Sequence, residues 1–252
     1  MFYSRNPHER DALAALHISI VGCGSLGSAL ADMLVRAGVG RLTLIDPQTL
    51  AIENIGRHVL TRRHLGRAKV HALAEYLCEI NADLEVDPRQ ESFSDAEGLL
   101  ITCTDSRRCE SMVNAVSLRR QVPAVFVGAY GAVRAGEIQF CVPGETPCRE
   151  CFASFRSERE QPLPPQRYTD PDFDGTRVPG QRGLWGSVLA VSGIAFHGIL
   201  ALLGVRGWLD LEHPLWIVNL DYPGFPPYAV VHSKVRRGCA VCDETKISEL
   251  GV

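Results

Sequence analysis

His17-Ile18-Ser19-Ile20-Val21 followed by Gly22-Cys23-Gly24-Ser25-Leu26-Gly27 is the stretch on which the fold turns. Five residues of β type run into a GxGxxG turn, and an apolar-periodic stretch from Ala29 to Ala37 follows. The pattern predicts strand, glycine turn, helix. The first glycine supplies the tight turn and the second lets a phosphate approach the backbone. The third brings helix and strand together, so that the helix N-terminus points at negative charge. Gly38-Val39-Gly40 ends that helix, and Arg41 to Ile45 reads as the second strand of a right-handed βαβ unit, closing on Asp46. About 20 residues beyond the glycines at a strand end, Asp46 is placed to accept hydrogen bonds from ribose hydroxyls. The glycines with Asp46 predict a nucleotide, and they suit an NAD-dependent oxidoreductase as well as an ATP enzyme.

Working outward, Lys69 to Asn81 has helical periodicity, with Val70, Leu73, Ala74, Leu77 and Ile80 on one face. Leu99 to Thr102 reads as a buried strand, 107–120 as a helix and Ala124 to Val127 as a further strand. Strands alternating with helices predict a Rossmann-like, doubly wound, mostly parallel α/β sheet. From Glu137 to Val142, Leu215 to Leu220 and Tyr228 to Lys234 the chain offers strands without matching helices. These either extend the sheet or form an antiparallel layer. A Pro-, Gly- and Arg-rich crossover loop is expected over about 152–183. The whole chain, 1–252, reads as one domain, with a nucleotide-binding part over 1–135 and an extension over 136–252.

A net charge of −3 and a pI near 6.2 give no basic excess to recommend a nucleic-acid partner. The start of the chain, MFYSRNPHERD, lacks the apolar core of a signal peptide. Nine cysteines then argue for thiols or a metal in a reducing cytoplasm. Gly183 to Val205 is long and apolar enough for a bilayer span. It separates two cysteine pairs that must meet at one metal, however, so it reads as a buried helix and no membrane partner is expected. Those pairs are Cys148-Arg149-Glu150-Cys151 and Cys239-Ala240-Val241-Cys242. Two CxxC pairs supply the four thiolates of a closed structural zinc site, stapling the late strands to the base of the crossover loop. Cys23, Cys78, Cys103, Cys109 and Cys141 sit in apolar or helical contexts and read as packing residues.

Between Asp46 and the next helix lie Asn54-Ile55-Gly56-Arg57-His58 and Gly66-Arg67-Ala68-Lys69. A dehydrogenase needs no such cluster, whereas a triphosphate does. Arg and Lys can neutralise a leaving pyrophosphate, while Asn and a carboxylate help to hold magnesium.

With these residues in view the chain resembles the ThiF/MoeB family, which includes the adenylation domains of ubiquitin-activating enzymes. The matching pieces are Tyr3-Ser4-Arg5, Gly22 to Gly27, Asp46, Asn54 with Arg57, Lys69, Cys103-Thr104-Asp105 with Asn114, and both CxxC pairs. The resemblance implies Asp46 on the ribose, Asn54, Arg57 and Lys69 on the phosphates, and Asp105 on magnesium. Arg5 would reach the ATP of the other subunit, which implies a homodimer, and the Gly183–Val205 helix is the candidate for part of its interface. The implied reaction is attack of a carboxylate on the α-phosphate of ATP. That carboxylate would be the C-terminal glycine of a ubiquitin-like or sulfur-carrier protein, with a conjugating enzyme as a further partner. Short peptides are the alternative substrate within the family. An NAD oxidoreductase and an inactive binding scaffold are the alternatives outside it.

Two features depart from the family pattern. No cysteine lies between Phe152 and Gly238, where many relatives carry a thioester nucleophile, so Ser154, Ser157 and Ser187 are the hydroxyls left there. Glu110 stands where relatives often have an arginine, with Arg107 and Arg108 one turn away as substitutes.

Overall fold

The computed structural model describes residues 7–130, 133–152, 183–221, 229–233, 239, 241 and 242. Tyr3, Ser4 and Arg5 lie outside the described residues, as do Ser154, Ser157 and nearly all of the expected crossover loop. The elements in order are α1 (Pro7–Ala14), β1 (His17–Val21), α2 (Ser25–Ala37), β2 (Arg41–Ile45), α3 (Lys69–Ile80), β3 (Glu85–Arg89) and β4 (Leu99–Thr102). They continue as α4 (Arg107–Arg120), β5 (Ala124–Tyr130), β6 (Ala135–Cys141), α5 (Trp185–Leu202), β7 (Leu215–Asn219) and β8 (Ala229–Ser233).

The eight described strands belong to one sheet in the order β3-β2-β1-β4-β5-β6-β7-β8. The pairs from β3 to β5 are parallel, and those from β5 through β8 are antiparallel. The late strands therefore extend the sheet. Central strands buried on both faces are continuous apolar runs, as Leu-Leu-Ile-Thr of β4 shows with every residue buried. β3 is different, because Glu-Val-Asp-Pro-Arg has no apolar alternation and, among the described residues, only β2 pairs with it. An edge strand tolerates Pro88, whose missing N–H would break a central ladder.

The chain leaves β1 for β2 and β3, then returns to lay β4 against the other side of β1. That reversal opens a crevice beyond the carboxyl ends of β1 and β4. On one face α2 presents Leu30, Leu34 and Val35, all fully buried, to the main core. Truncating either leucine to alanine would cost about 2–5 kcal/mol.

α5 is the one described helix long and apolar enough to cross a bilayer. It lies on the sheet instead of standing apart from it. A Cβ at Gly198 would come within 2.3 Å of the Phe140 ring, and one at Gly136 within 2.7 Å of Val191. Its buried positions include Val188, Val191, Ala195 and Ile199, while Leu189 stays on the exposed side.

Candidate nucleotide site and tetrathiolate centre

The glycine turn is built by three different demands. Gly22 sits at φ +91°, and a Cβ there would meet the Cys103 carbonyl at 2.9 Å. At Gly27 a Cβ would fall 1.9 Å from the Gly22 carbonyl oxygen, so helix and turn touch through bare backbone. Around Gly24, the residue before α2, a Cβ would meet nothing within 4 Å. The first and third glycines are thus required by packing, and the second leaves open space at a helix N-terminus. That is where an anion can approach backbone N–H groups.

Asp46 ties the turn to the end of β2. One carboxylate oxygen accepts a hydrogen bond from the Cys23 N–H at 2.8 Å and the other from the Gln48 N–H at 2.8 Å. With 5% exposure, the side chain ties the end of β2 to the glycine turn and keeps lone pairs for a further donor.

From Gln48 the chain makes an excursion and returns. Leu50 N–H bonds the Arg67 carbonyl, Gly66 N–H the Leu50 carbonyl, and Lys69 N–H the Gln48 carbonyl. This brings Lys69, first residue of α3, back beside the turn. Its Nζ donates to Gln48 Oε1 at 2.6 Å, and the residue is 5% exposed. Among the described residues no carboxylate pairs with that ammonium. A buried ammonium whose described partner is a neutral amide has donors and charge left for an anion.

Arg57 closes a short 3-10 turn, Ile52–Arg57, and is half-buried with no ion pair among the described residues. Asn54 in the same turn accepts from the Ala51 N–H through Oδ1 at 3.0 Å, which fixes its side chain.

His58, for which residue type and spacing suggest no role, also belongs to this site. It is 6% exposed; its Nδ1 accepts from the Leu60 N–H at 3.1 Å, so Nε2 carries the proton and donates to the Cys23 carbonyl at 2.9 Å. The ring therefore clasps the glycine turn at the Cys23 carbonyl, while Asp46 holds the Cys23 N–H. Burial, with help from the Lys69 and Arg57 charges, lowers its pKa to about 4 against the opposing pull of the Cys23 carbonyl. The only sequence signal was its place immediately after Arg57.

On the β4 side, the Cys103 N–H bonds the Val21 carbonyl at 2.8 Å, and the 103–104 backbone abuts Gly22. Asp105 follows with an exposed carboxylate, and the Ser106 hydroxyl then caps α4 by accepting from the Cys109 N–H. The carboxyl ends of β1 and β2 thus bring together Gly22, Gly24, Gly27, Asp46 and Lys69, with Arg57 next to the clasping His58 and Asp105 one residue beyond the backbone that abuts Gly22, while Asn54 is held to Ala51 within its own turn. An exposed carboxylate such as that of Asp105 has the donor chemistry for magnesium, which binds through one or two carboxylates together with phosphate oxygens.

The second centre lies beyond β6. Cys148, Cys151, Cys239 and Cys242 place their sulfurs within 4.8 Å of one another, with separations of 3.5 Å (Cys148–Cys239), 3.4 Å (Cys151–Cys242), 3.5 Å (Cys239–Cys242) and 4.0 Å (Cys148–Cys151). A tetrahedral site with Zn–S near 2.3 Å needs sulfurs about 3.8 Å apart, so the cluster fits zinc. Leu215 and Phe152 pack around it, joining the cluster to β7.

Glu110 is accounted for by this centre. Its carboxylate takes both Nη2 and Nε of Arg149, at 2.9 and 3.2 Å, and Arg149 belongs to the first CxxC pair. Arg107 and Arg108 stay exposed at the start of α4. Asn114 accepts from the Arg149 N–H at 2.9 Å. The expectation that all five remaining cysteines pack inside fails at Cys78, which is exposed on α3.

A sequence model of the ThiF family matches residues 3–205. The chain belongs to the ThiF family. This ThiF-family chain is 27% identical over 243 residues to the adenylyltransferase and sulfurtransferase UBA4 of Yarrowia lipolytica, covering 92% of this chain and 57% of that protein. It is 30% identical over 154 residues to ubiquitin-like modifier-activating enzyme 5 of Drosophila simulans, covering 53% and 38% respectively. It therefore spans about half the length, or less, of these relatives. In structure it superposes on E. coli MccB solved with MccA-N7isoASN at a TM-score of 0.75 and 18% identity, covering 96% of this chain and 75% of that one. PaaA superposes at 0.70 and 17% identity, covering 90% and 75%. At these identities the structural likeness shows a shared fold.

Proposed function

We propose that the chain binds ATP over Gly24 and adenylates the C-terminal carboxylate of a ubiquitin-like or sulfur-carrier protein, releasing pyrophosphate. The observation that carries this reading is Lys69, a buried ammonium on the wall of an open glycine turn with Gln48 as its described partner. A dinucleotide's ribose would use Asp46 but would leave Lys69 and Arg57 unexplained.

In this reading the triphosphate lies against the α2 N-terminus, with Lys69, Arg57 and Asn54 on its oxygens and Asp46 on the ribose. Magnesium held by Asp105 would supply charge neutralisation on the phosphates. The substrate carboxylate oxygen bonds to the α-phosphorus as the bond to the β-phosphate oxygen breaks. Negative charge gathers on phosphate oxygens, where fixed cations stabilise it without reorganising. A carboxylate is already ionised at neutral pH, so no general base is required. Arg5 completing the site of a second copy belongs to the same proposal, as do a homodimer and a cytoplasmic setting.

The acyl-adenylate then passes to an external nucleophile, an amine or a thiol of another molecule, with AMP leaving. Support comes from the cysteines outside the tetrathiolate centre. Burial pushes the Cys23, Cys103 and Cys141 thiols up, and it raises Cys109 to about 11, with Glu110 adding to the effect. Cys78 lies nine residues past Lys69, about 13 Å further along α3. Ser187 lies in the first turn of α5.

The test is ATP–pyrophosphate exchange with a panel of small ubiquitin-fold proteins ending in Gly-Gly, and with short peptides bearing free C-termini. Exchange that needs the folded carrier, and that Asp105→Ala abolishes without loss of zinc, is the expected result. Exchange with peptides alone would assign the peptide substrate, and nicotinamide reduction without exchange would overturn the reading.

A further inference from the structure

We infer that Arg149 is a positioning residue that mounts the start of α4, and with it the Asp105 loop, on the tetrathiolate turn. The bearing on magnesium and ATP rests on the adenylation reading above, whereas the mounting itself rests on geometry alone.

Arg149 sits between two thiolate ligands, so whatever orders Cys148 and Cys151 also orders its backbone. It is 4% exposed. Its N–H donates to Asn114 Oδ1 at 2.9 Å, and its guanidinium reaches Glu110 Oε1 and Oε2 at 2.9 and 3.0 Å through Nη2. The same fork donates to Glu137 Oε1 at 2.8 Å and Gln139 Oε1 at 3.3 Å, both on β6. The Phe126 and Phe152 rings lie 5.2 and 4.9 Å from the guanidinium carbon. Burial works against the charge, yet Glu137 and Glu110 outweigh it, and the arginine is held protonated.

Glu110 and Asn114 are four residues apart and so share one face of α4. One residue of the metal turn therefore grips two successive turns of that helix, and it does so against β6. A buried ion cluster is weak evidence for stability, because apolar side chains of similar volume would hold the layers as well. What a planar fork adds is orientation, since several N–H donors in one plane allow little rotation or sliding of α4. Asp105 precedes the Ser106 cap of this helix, and the 103–104 backbone abuts Gly22. Displacing the start of α4 therefore displaces Asp105 relative to the glycine turn.

The experiment uses the full zinc-loaded chain and three variants. Glu110→Gln removes one charge from the grip, Arg149→Lys keeps the charge but loses the fork, and Val113→Ala weakens α4 packing while leaving every hydrogen bond and ion pair of the network in place. Zinc content, hydrogen exchange of the 104–112 amides, and ATP affinity with and without Mg2+ are measured in each. With zinc retained, Glu110→Gln and Arg149→Lys should speed exchange across 104–112 by about 10-fold. They should also cut the strengthening of ATP binding by Mg2+ by about 10-fold, the size expected when an outer partner of a metal ligand is lost. Val113→Ala should lower the melting temperature while leaving the Mg2+ effect intact. The inference is overturned if both network variants keep zinc, slow exchange and a normal Mg2+ effect, or if Val113→Ala moves the Mg2+ effect equally. Should Glu110→Gln not fold, Arg149→Lys decides in the same way. A wild-type chain that binds no ATP would refute the adenylation reading, and hydrogen exchange would still decide the mounting.

Discussion

His58 makes the chain's stability fall with acid in a calculable way. The folded pKa is about 4 and the ordinary value is 6.5, so between those limits the unfolded chain binds a proton that the folded one refuses. A depressed folded value means that the histidine's contribution is fully present above pH 6.5 and is lost as pH falls toward 4. Between pH 7.5 and 5.5 the two titration curves separate by about 1.3 kcal/mol, rising to about 3 kcal/mol below pH 4. For a chain of this size the first figure is about 3–5 °C in melting temperature. Replacing the ring by an amide in His58→Gln should remove that increment while costing about 1–2 kcal/mol at pH 7.5 through the two lost hydrogen bonds. Urea titrations of both forms at the two pH values measure it, and other titrating groups cancel in the comparison. An equal loss between pH 7.5 and 5.5 in wild type and His58→Gln would refute the placement of a neutral, clasping imidazole.

Two glycines of the turn should answer differently to one methyl group. Gly24→Ala should fold normally but bind ATP at least about 10-fold more weakly, whereas Gly27→Ala should fail to accumulate as folded protein, because its Cβ has no room. Calorimetry on the first and soluble yield of the second check this. Lys69→Met should lower pyrophosphate exchange by about 100- to 1,000-fold, the scale for removing one electrostatic contact to a transition state, with little change in melting temperature. Stripping zinc with a chelator should lower the melting temperature by at least about 8 °C, from the roughly 4 kcal/mol that a ligand at 1,000 times its Kd contributes. Differential scanning calorimetry with and without added metal reads that shift.

The elements legible in the sequence were those whose own residues carry a period or a cap. β1, β2, β4 and α4 fall where apolar runs and helical spacing put them, and the glycine turn places α2. β3 was not legible, because Glu85 to Arg89 becomes a strand only by pairing with β2 at the sheet edge. α1 has too little apolar periodicity to be read. In the site, Asp46, Lys69 and the four cysteines announced themselves by residue type and spacing. Glu110 did not, since its partner Arg149 lies 39 residues away and inside a metal motif. His58 was equally silent, because a clasp onto a main-chain carbonyl leaves no pattern in neighbouring residues.

The two cysteine pairs are joined across 91 residues of chain. No ribosome can present both to one ion until residue 242 has emerged, and by then β1 to β7 have long been available to assemble. Capture of a metal by these four thiolates would thus be a closing event in biosynthesis, favoured because strands already paired have brought distant sulfurs within reach. In a zinc-starved cell the parallel half would still form, and the shortage would show as molecules whose final strands come loose, open to proteolysis from that end.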